Sequence, residues 1–186
     1  MKRKVLVLNA DFQPFKFCTW KCGLIQTIVE SKQGAYPVEY YDEWVILDSS
    51  GKEYQIPAVI ALKKYVKAGD KRAAYTKTNV FTRDLMTCQY CHHRFLKSEL
   101  TVDHLIPRSR WKALGKNGKT SCFENIVTSC IPCNSRKGSK TCQEADMYPL
   151  HKPLKATRRE IFVKRLRLIE KRPPEWESYV KGLINE

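Results

Sequence analysis

"CIPCNSRKG", Cys130 to Gly138, is the stretch on which the reading of this chain turns. Two thiolates two residues apart can grip one face of a tetrahedral metal ion. Pro132 suits the first turn of a helix, where a missing N–H costs nothing. That helix would carry Asn134 beside the grip. A matching pair, "CQYC" (Cys88 and Cys91), lies upstream with 38 residues between the two pairs. One such pair is also what a redox dithiol looks like; two pairs flanking a compact segment point to a single four-cysteine zinc site. Four thiolates leave no open position for water, so the zinc would fold the segment rather than catalyse.

The segment between the pairs is longer than a simple zinc ribbon needs, so something is held there. Its centre is "TVDHLIPRS", Thr101 to Ser109, where Asp103 and His104 stand at the end of a β-like run stopped by Pro107. Alone, a buried Asp–His pair is as readily structural. The remaining Cys18, Cys22, Cys122 and Cys142 have no comparable pairing. Cys18 and Cys22 could bind metal, though buried thiols are the plainer reading. His92 and His93, next to Cys91, could in principle replace a thiolate, but four cysteines already complete the site.

The chain has 186 residues with 42% hydrophobic and 28% charged side chains, which makes it a soluble globular protein. Its net charge of +15 favours a polyanionic partner. Residues 77–142 carry 12 basic side chains against 4 acidic ones and are the electrostatic focus. No apolar run has membrane-spanning length. The N-terminal "KVLVL" is broken too early for a signal segment and reads as a strand. We therefore expect a reducing cytoplasm, where eight cysteines argue for metal ligands and buried thiols.

Three regions are expected: 1–76, 77–142 and 143–186. In the first, "KVLVL" is a strand and Thr19 caps a helix over "TWKCGLIQTIVESKQG". Leu24, Ile25, Ile28 and Val29 line its buried face, and Gly34 ends it. "EWVILDSSGKEYQIP" is a hairpin turning at Ser49–Ser50–Gly51, and "AVIALKKYV" after Pro57 is a short helix. In the last region, Thr157 and Glu160 form a capping box for a helix that buries Phe162, Leu166 and Ile169 and stops at Pro173–Pro174. Its Arg158, Arg159, Lys164, Arg165 and Arg167 are either a solvated face or phosphate contacts.

In order, the chain has C-x-x-C, V-D-H-x-I-P-x-S, E-N-x-V and C-x-x-C-N-x-x-K-G, spanning Cys88 to Gly138. This resembles the HNH endonuclease family. The fold class expected is α+β: a ββα-metal core stapled by structural zinc, preceded by a small α+β region and followed by a C-terminal helix. More loosely, "VLVLNADFQP", "TW", "NVFTRD" and the tail after Gly138 are similar to larger bacterial and phage HNH proteins with an extra N-terminal region. That region is expected to serve recognition or partner binding.

The resemblance implies a metal-dependent endonuclease that cuts double-stranded DNA to leave 5′-phosphate and 3′-hydroxyl ends, with RNA left open as a substrate. Adjacent strand residues point to opposite sides, so Asp103 and His104 can serve two sides of one phosphate. His104, whose ordinary pKa is near neutrality, is the expected general base. Asp103 is the expected oxygen ligand of one Mg²⁺ or Mn²⁺. Asn134 matches the family position that supplies a second oxygen. Asn125 matches the middle asparagine, whose amide would hold the loop after His104. Cys88, Cys91, Cys130 and Cys133 would bind one zinc per chain. Arg108, Arg110, Arg136 and Lys137 are the expected nucleic-acid contacts, with Lys112, Lys116 and Lys119 weaker candidates; Trp111 would wedge into DNA or pack its loop.

Two departures stand out. "WKALGKNG" lengthens a loop that is often a short Gly-Gly turn, and His92 occupies a knuckle position where glycine is common because the chain turns there through positive φ. A non-catalytic zinc module that binds nucleic acid would explain the charge and the cysteines equally well. It gives no reason for Asp103, a carboxylate that repels phosphate unless a cation sits between them. A purely structural domain leaves both the charge and the oxygen ligands unexplained.

Overall fold

The structure is a computed structural model that describes residues 4–29, 34–67 and 71–184. The chain forms two compact units, one of residues 1–69 with 169–186 and one of residues 70–168. These do not follow the expected boundaries at 76 and 142. The first unit is built from two separate stretches of chain, and the expected C-terminal region is divided between the units at residue 168.

In the first unit, β1 (Lys4–Leu8), β2 (Pro14–Thr19), β3 (Ala35–Leu47) and β4 (Glu53–Leu62) form a sheet in the order β2-β1-β4-β3. The central strands β1 and β4 run parallel, with Leu6 opposite Val59. Both are continuous apolar runs, as strands covered on both faces must be, and Val5 to Leu8 and Ala58 to Ala61 have no exposed surface. Hence "AVIAL" after Pro57 is strand, not the expected helix. An apolar run without helical period packs equally well between two neighbours in a sheet. Pro57 sits at a register shift, where the ladder does not need its missing N–H. The hairpin between β3 and β4 turns at Asp48–Lys52, where Oδ1 of Asp48 accepts hydrogen bonds from the backbone N–H groups of Ser50 and Lys52.

Helix α1 (Trp20–Ile28) starts at Thr19, whose hydroxyl accepts from the Cys22 N–H at 3.3 Å. Its buried residue is Gly23; Ile25, Ile28 and Val29 are exposed. The expected apolar stripe therefore faces outward, because the helix approaches β1 through its smallest side chain. The expected continuation of the helix over residues 30–33 lies outside the described residues. A Cβ at Gly23 would meet Val5 Cγ2 at 2.7 Å and Val5 Cβ at 3.0 Å. Val5 is β-branched and held in the sheet, so it cannot swing aside. Gly23→Ala is expected to destabilise this unit by about 1–3 kcal/mol, as overpacking does; chemical denaturation of the variant measures it.

The second unit contains α2 (Lys77–Arg83), the antiparallel pair β5 (Leu100–His104) and β6 (Ile126–Cys130), α3 (Ile131–Lys137), α4 (Cys142–Ala145) and α5 (Arg158–Arg167). Ala73, Val80, Phe123, Ile126, Ala156 and Ile161 form its main core. The Thr157–Glu160 capping box opens α5: Oγ1 of Thr157 accepts from the Glu160 N–H at 3.2 Å, and the Thr157 N–H donates to Glu160 Oε2 at 2.6 Å. Phe162 and Leu166 are buried as expected, with Ile161 beside them. Arg83 and Asp84 form a buried ion pair that ties α2 to the strand pair. Arg83 donates to the carbonyls of Phe123 and Ile126, both at 2.7 Å, and Asp84 accepts from the Thr128 N–H at 2.8 Å. Ala73 N–H to Ala156 O (2.8 Å) and Arg158 N–H to Lys71 O (2.9 Å) join the first and last segments of this unit.

The chain then returns to the first unit, where α6 (Glu177–Ile184) follows Trp176. Trp176 is 1% exposed, stacks on Phe17 with ring centroids 5.2 Å apart, and donates its indole N–H to Ala58 O at 2.9 Å. No helix among the described residues is long and apolar enough to cross a membrane.

Candidate active site and metal centre

The thiols of Cys88, Cys91, Cys130 and Cys133 lie within 4.8 Å of one another, the sole group of three or more candidate ligands among the described residues. Tetrahedral zinc with Zn–S of about 2.3 Å needs sulfurs about 3.8 Å apart; Cys91 and Cys130 Sγ are 3.9 Å apart. The donor set and its spacing fit zinc. The first knuckle is a tight turn in which the His92 N–H donates to Cys88 O and the Cys88 N–H to His93 O, both at 2.9 Å. His92 takes φ of 64°, the left-handed conformation that the position demands and that histidine tolerates. Both histidines are exposed and are not among the clustered ligands. The second knuckle spans the end of β6 and the start of α3, with Cys130 as N-cap and Pro132 in the first turn. Gln89 N–H to Thr128 O (2.9 Å) couples the first knuckle to β6. Cys18 and Cys22 sit in the other unit, where burial and then the neighbouring Cys22 push the Cys18 thiol up to about 12.

Between the knuckles, β5, β6 and α3 make a strand–strand–helix unit. Asp103 pairs with Val127 and His104 with Ile126 at the end of β5. Asp103 is 5% exposed; its Oδ2 accepts from the Tyr90 hydroxyl at 2.5 Å and forms an ion pair with the Lys137 ammonium 2.8 Å away. Its Oδ1 accepts no hydrogen bond among the described residues. Asn134 is half-buried on α3, one turn before Lys137, and its carbonyl accepts from the Gly138 N–H. A carboxylate oxygen and an amide oxygen are the donors that a hard divalent cation takes.

His104 is half-buried. Its Nε2 lies 3.1 Å from Ser121 Oγ and 3.4 Å from Arg108 Nε. Burial, then the Arg108 charge, lowers its pKa below the ordinary value, against the opposing pull of Asp103. At neutral pH the ring is unprotonated and able to accept a proton. Asn125, 3% exposed, ties down the loop after it: Oδ1 accepts from the Ile106 N–H at 2.9 Å, and Nδ2 donates to the carbonyls of Ile106 (3.1 Å) and Thr120 (3.0 Å).

The basic residues divide. Arg108 and Arg136 are exposed, as are Lys112, Lys116 and Lys119. Arg110 is also on the surface, where it pairs with Glu144. Lys137 requires a correction. It was expected to contact nucleic acid, yet it has no exposed surface and its ammonium is spent on Asp103 and on the His104 carbonyl, 2.7 Å away. The buried carboxylate needs a counter-charge, and a lysine one turn beyond Asn134 is within reach from α3. On α5, Lys164 donates to the Arg83 carbonyl and Arg165 to Asn79 at 2.8 Å, so both are engaged within their own unit.

Sequence reasoning missed Tyr90 and Ser121. Tyr90 had a signal, its place inside the Cys88–Cys91 knuckle. Ser121 had none, since a long loop separates it from His104.

Comparison with known families agrees with this geometry. Residues 88–140 match the profile of the HNH endonuclease family, and residues 5–69 match that of the HNH endonuclease-associated N-terminal domain. The first match spans both cysteine pairs, the strand pair and α3; the second covers the sheet of the first unit. No curated protein and no solved structure matches the chain.

Proposed function

Given that this chain belongs to the HNH endonuclease family, with the family's associated N-terminal domain ahead of the nuclease core, we propose that it is a cytoplasmic, metal-dependent DNA endonuclease. It hydrolyses phosphodiester bonds to 5′-phosphate and 3′-hydroxyl ends. The observation that carries the reading is the arrangement of Asp103 and His104 at the end of β5, beside a helix that starts at the cysteine cluster. A strand end and a clamped helix are rigid supports for groups that must meet one phosphate.

Asp103 and Asn134 are the residues that would hold one Mg²⁺ or Mn²⁺, the first through its carboxylate and the second through its amide oxygen. When bound, that ion neutralises phosphate charge and eases departure of the 3′-oxygen. His104 takes a proton from the attacking water. Arg108 Nε donates to His104 Nε2 at 3.4 Å and Ser121 Oγ lies 3.1 Å from the same nitrogen, so both side chains hold the ring in place. The water oxygen forms its bond to phosphorus as the bond to the 3′-oxygen breaks in line with it. The 3′-oxygen takes up a proton from solvent water, His104 returns its own proton to solvent, and the phosphate stays on the 5′ side. Asn125 keeps the loop after His104 in place, so the imidazole cannot swing away. Arg108, Arg110 and Arg136 approach the backbone phosphates. One zinc on Cys88, Cys91, Cys130 and Cys133 fixes both supports and takes no part in the chemistry.

The test is cleavage of a defined duplex with mapped ends. With Mg²⁺ or Mn²⁺ the protein is expected to yield products that a ligase can rejoin, because ligation requires a 5′-phosphate beside a 3′-hydroxyl. Products carrying 3′-phosphate, or cleavage undiminished in a magnesium- and manganese-free buffer, would refute the mechanism. A matched RNA duplex run beside it tests the choice of DNA.

A further inference from the structure

We propose that Tyr90 is a positioning residue for the catalytic ion: its hydroxyl, with the Lys137 ammonium, occupies Oδ2 of Asp103 so that Oδ1 alone is presented to the cation. The proposal rests on the reading of Asp103 as the carboxylate ligand of that ion.

A carboxylate that binds metal through one oxygen must keep a fixed tilt, which it does when the protein holds the other oxygen. One oxygen of Asp103, Oδ2, accepts from the Tyr90 hydroxyl at 2.5 Å and lies 2.8 Å from the Lys137 ammonium in an ion pair. Tilting the carboxylate would break the Tyr90 hydrogen bond and stretch the Lys137 ion pair inside a site where Asp103 is 5% exposed and Lys137 is fully buried. Water cannot replace the lost partners there, so the penalty is that of unsatisfied buried groups.

The two donors come from the two knuckles. Tyr90 lies between Cys88 and Cys91, and Lys137 is on α3, the helix that carries Cys133 and is capped by Cys130. Each cysteine pair thus places one donor on the same carboxylate oxygen. The cysteine cluster sets the orientation of Asp103 through one hydrogen bond and one ion pair and not only through the path of the backbone. This gives a physical reason for a tyrosine inside the knuckle, where a small residue would satisfy the turn.

Tyr90→Phe removes one donor without changing the charge of the site, so a change in metal affinity reads orientation. Full-length, zinc-loaded wild-type protein, Y90F and D103A are titrated with Mn²⁺ alone, and free Mn²⁺ is followed by electron paramagnetic resonance. Cleavage is measured across the same Mn²⁺ range. In Y90F the Mn²⁺ concentration at half-saturation is expected to rise about 10- to 100-fold, the usual effect of losing a hydrogen bond to a metal ligand. Zinc content and melting temperature stay at wild-type values, and most of the cleavage rate returns at saturating Mn²⁺. Unchanged Mn²⁺ affinity in Y90F would overturn the proposal, and so would loss of zinc, since Tyr90 would then serve the knuckle and not the carboxylate. D103A separates the two levels. If it loses Mn²⁺ while Y90F does not, only the role of Tyr90 fails. If it binds Mn²⁺ as tightly as wild type, the assignment of Asp103 itself fails.

Discussion

Replacing His104 with alanine is expected to slow cleavage by about 10²–10⁴-fold, the range that a positioned general base contributes, without unfolding the protein. The side chain can be removed cheaply because the local structure does not depend on it. Lys137 bonds to the His104 carbonyl, which alanine retains, and Asn125 fastens the following loop through Ile106 and Thr120. What disappears is a half-buried ring kept unprotonated by burial and by Arg108. The measurement is the initial rate of relaxation of supercoiled plasmid with Mg²⁺, set beside a thermal melt of the same preparation. A variant that melts as wild type and cuts within a factor of about two of it would show that another group takes the proton.

Replacing Cys130 with serine is expected to abolish the cooperative folding of residues 70–168 and not merely reduce the rate. Cys130 ends β6, caps α3 and contributes one of the four clustered thiols, so a single change releases both sides of the strand–helix junction. Structural zinc supplies about 10–16 kcal/mol in small sites, against about 5–15 kcal/mol for the whole net stability of a typical domain. Loss of the ion therefore exceeds what the apolar core around Val80, Phe123 and Ile126 can make good. Zinc content by atomic absorption and amide exchange across the unit provide the measurement. Cys18→Ser is the control, because Cys18 lies in the other unit and outside the cluster. A C130S protein that retains zinc and wild-type exchange protection would mean that three thiols suffice.

Much of the catalytic unit was legible in the sequence because its parts are short and local. Two cysteine pairs, a strand ending in Asp103–His104, Pro132 opening a helix and the Thr157–Glu160 box each declare themselves within a few residues. The features that were not legible depend on tertiary partners. "AVIAL" carries no period that separates a strand from a helix, and its parallel pairing with β1 decided the matter. The outward face of α1 follows from Gly23 meeting Val5, a contact between elements that spacing does not encode. Lys137 reads as surface charge in any linear scan; only the fold shows a buried Asp103 one reach away. Likewise Ser121 approaches His104 across a 16-residue loop, and Trp176 returns to the first sheet after the entire second unit has intervened.

That return has a consequence for how the protein is made. The second unit is one uninterrupted stretch of residues 70–168, so it can close while the polypeptide is still attached to the ribosome. The sheet that precedes it must wait, its Ala58 carbonyl and Phe17 ring lacking their tryptophan until translation has passed residue 176. During that interval the cell holds a finished cutting module joined to an unfinished companion.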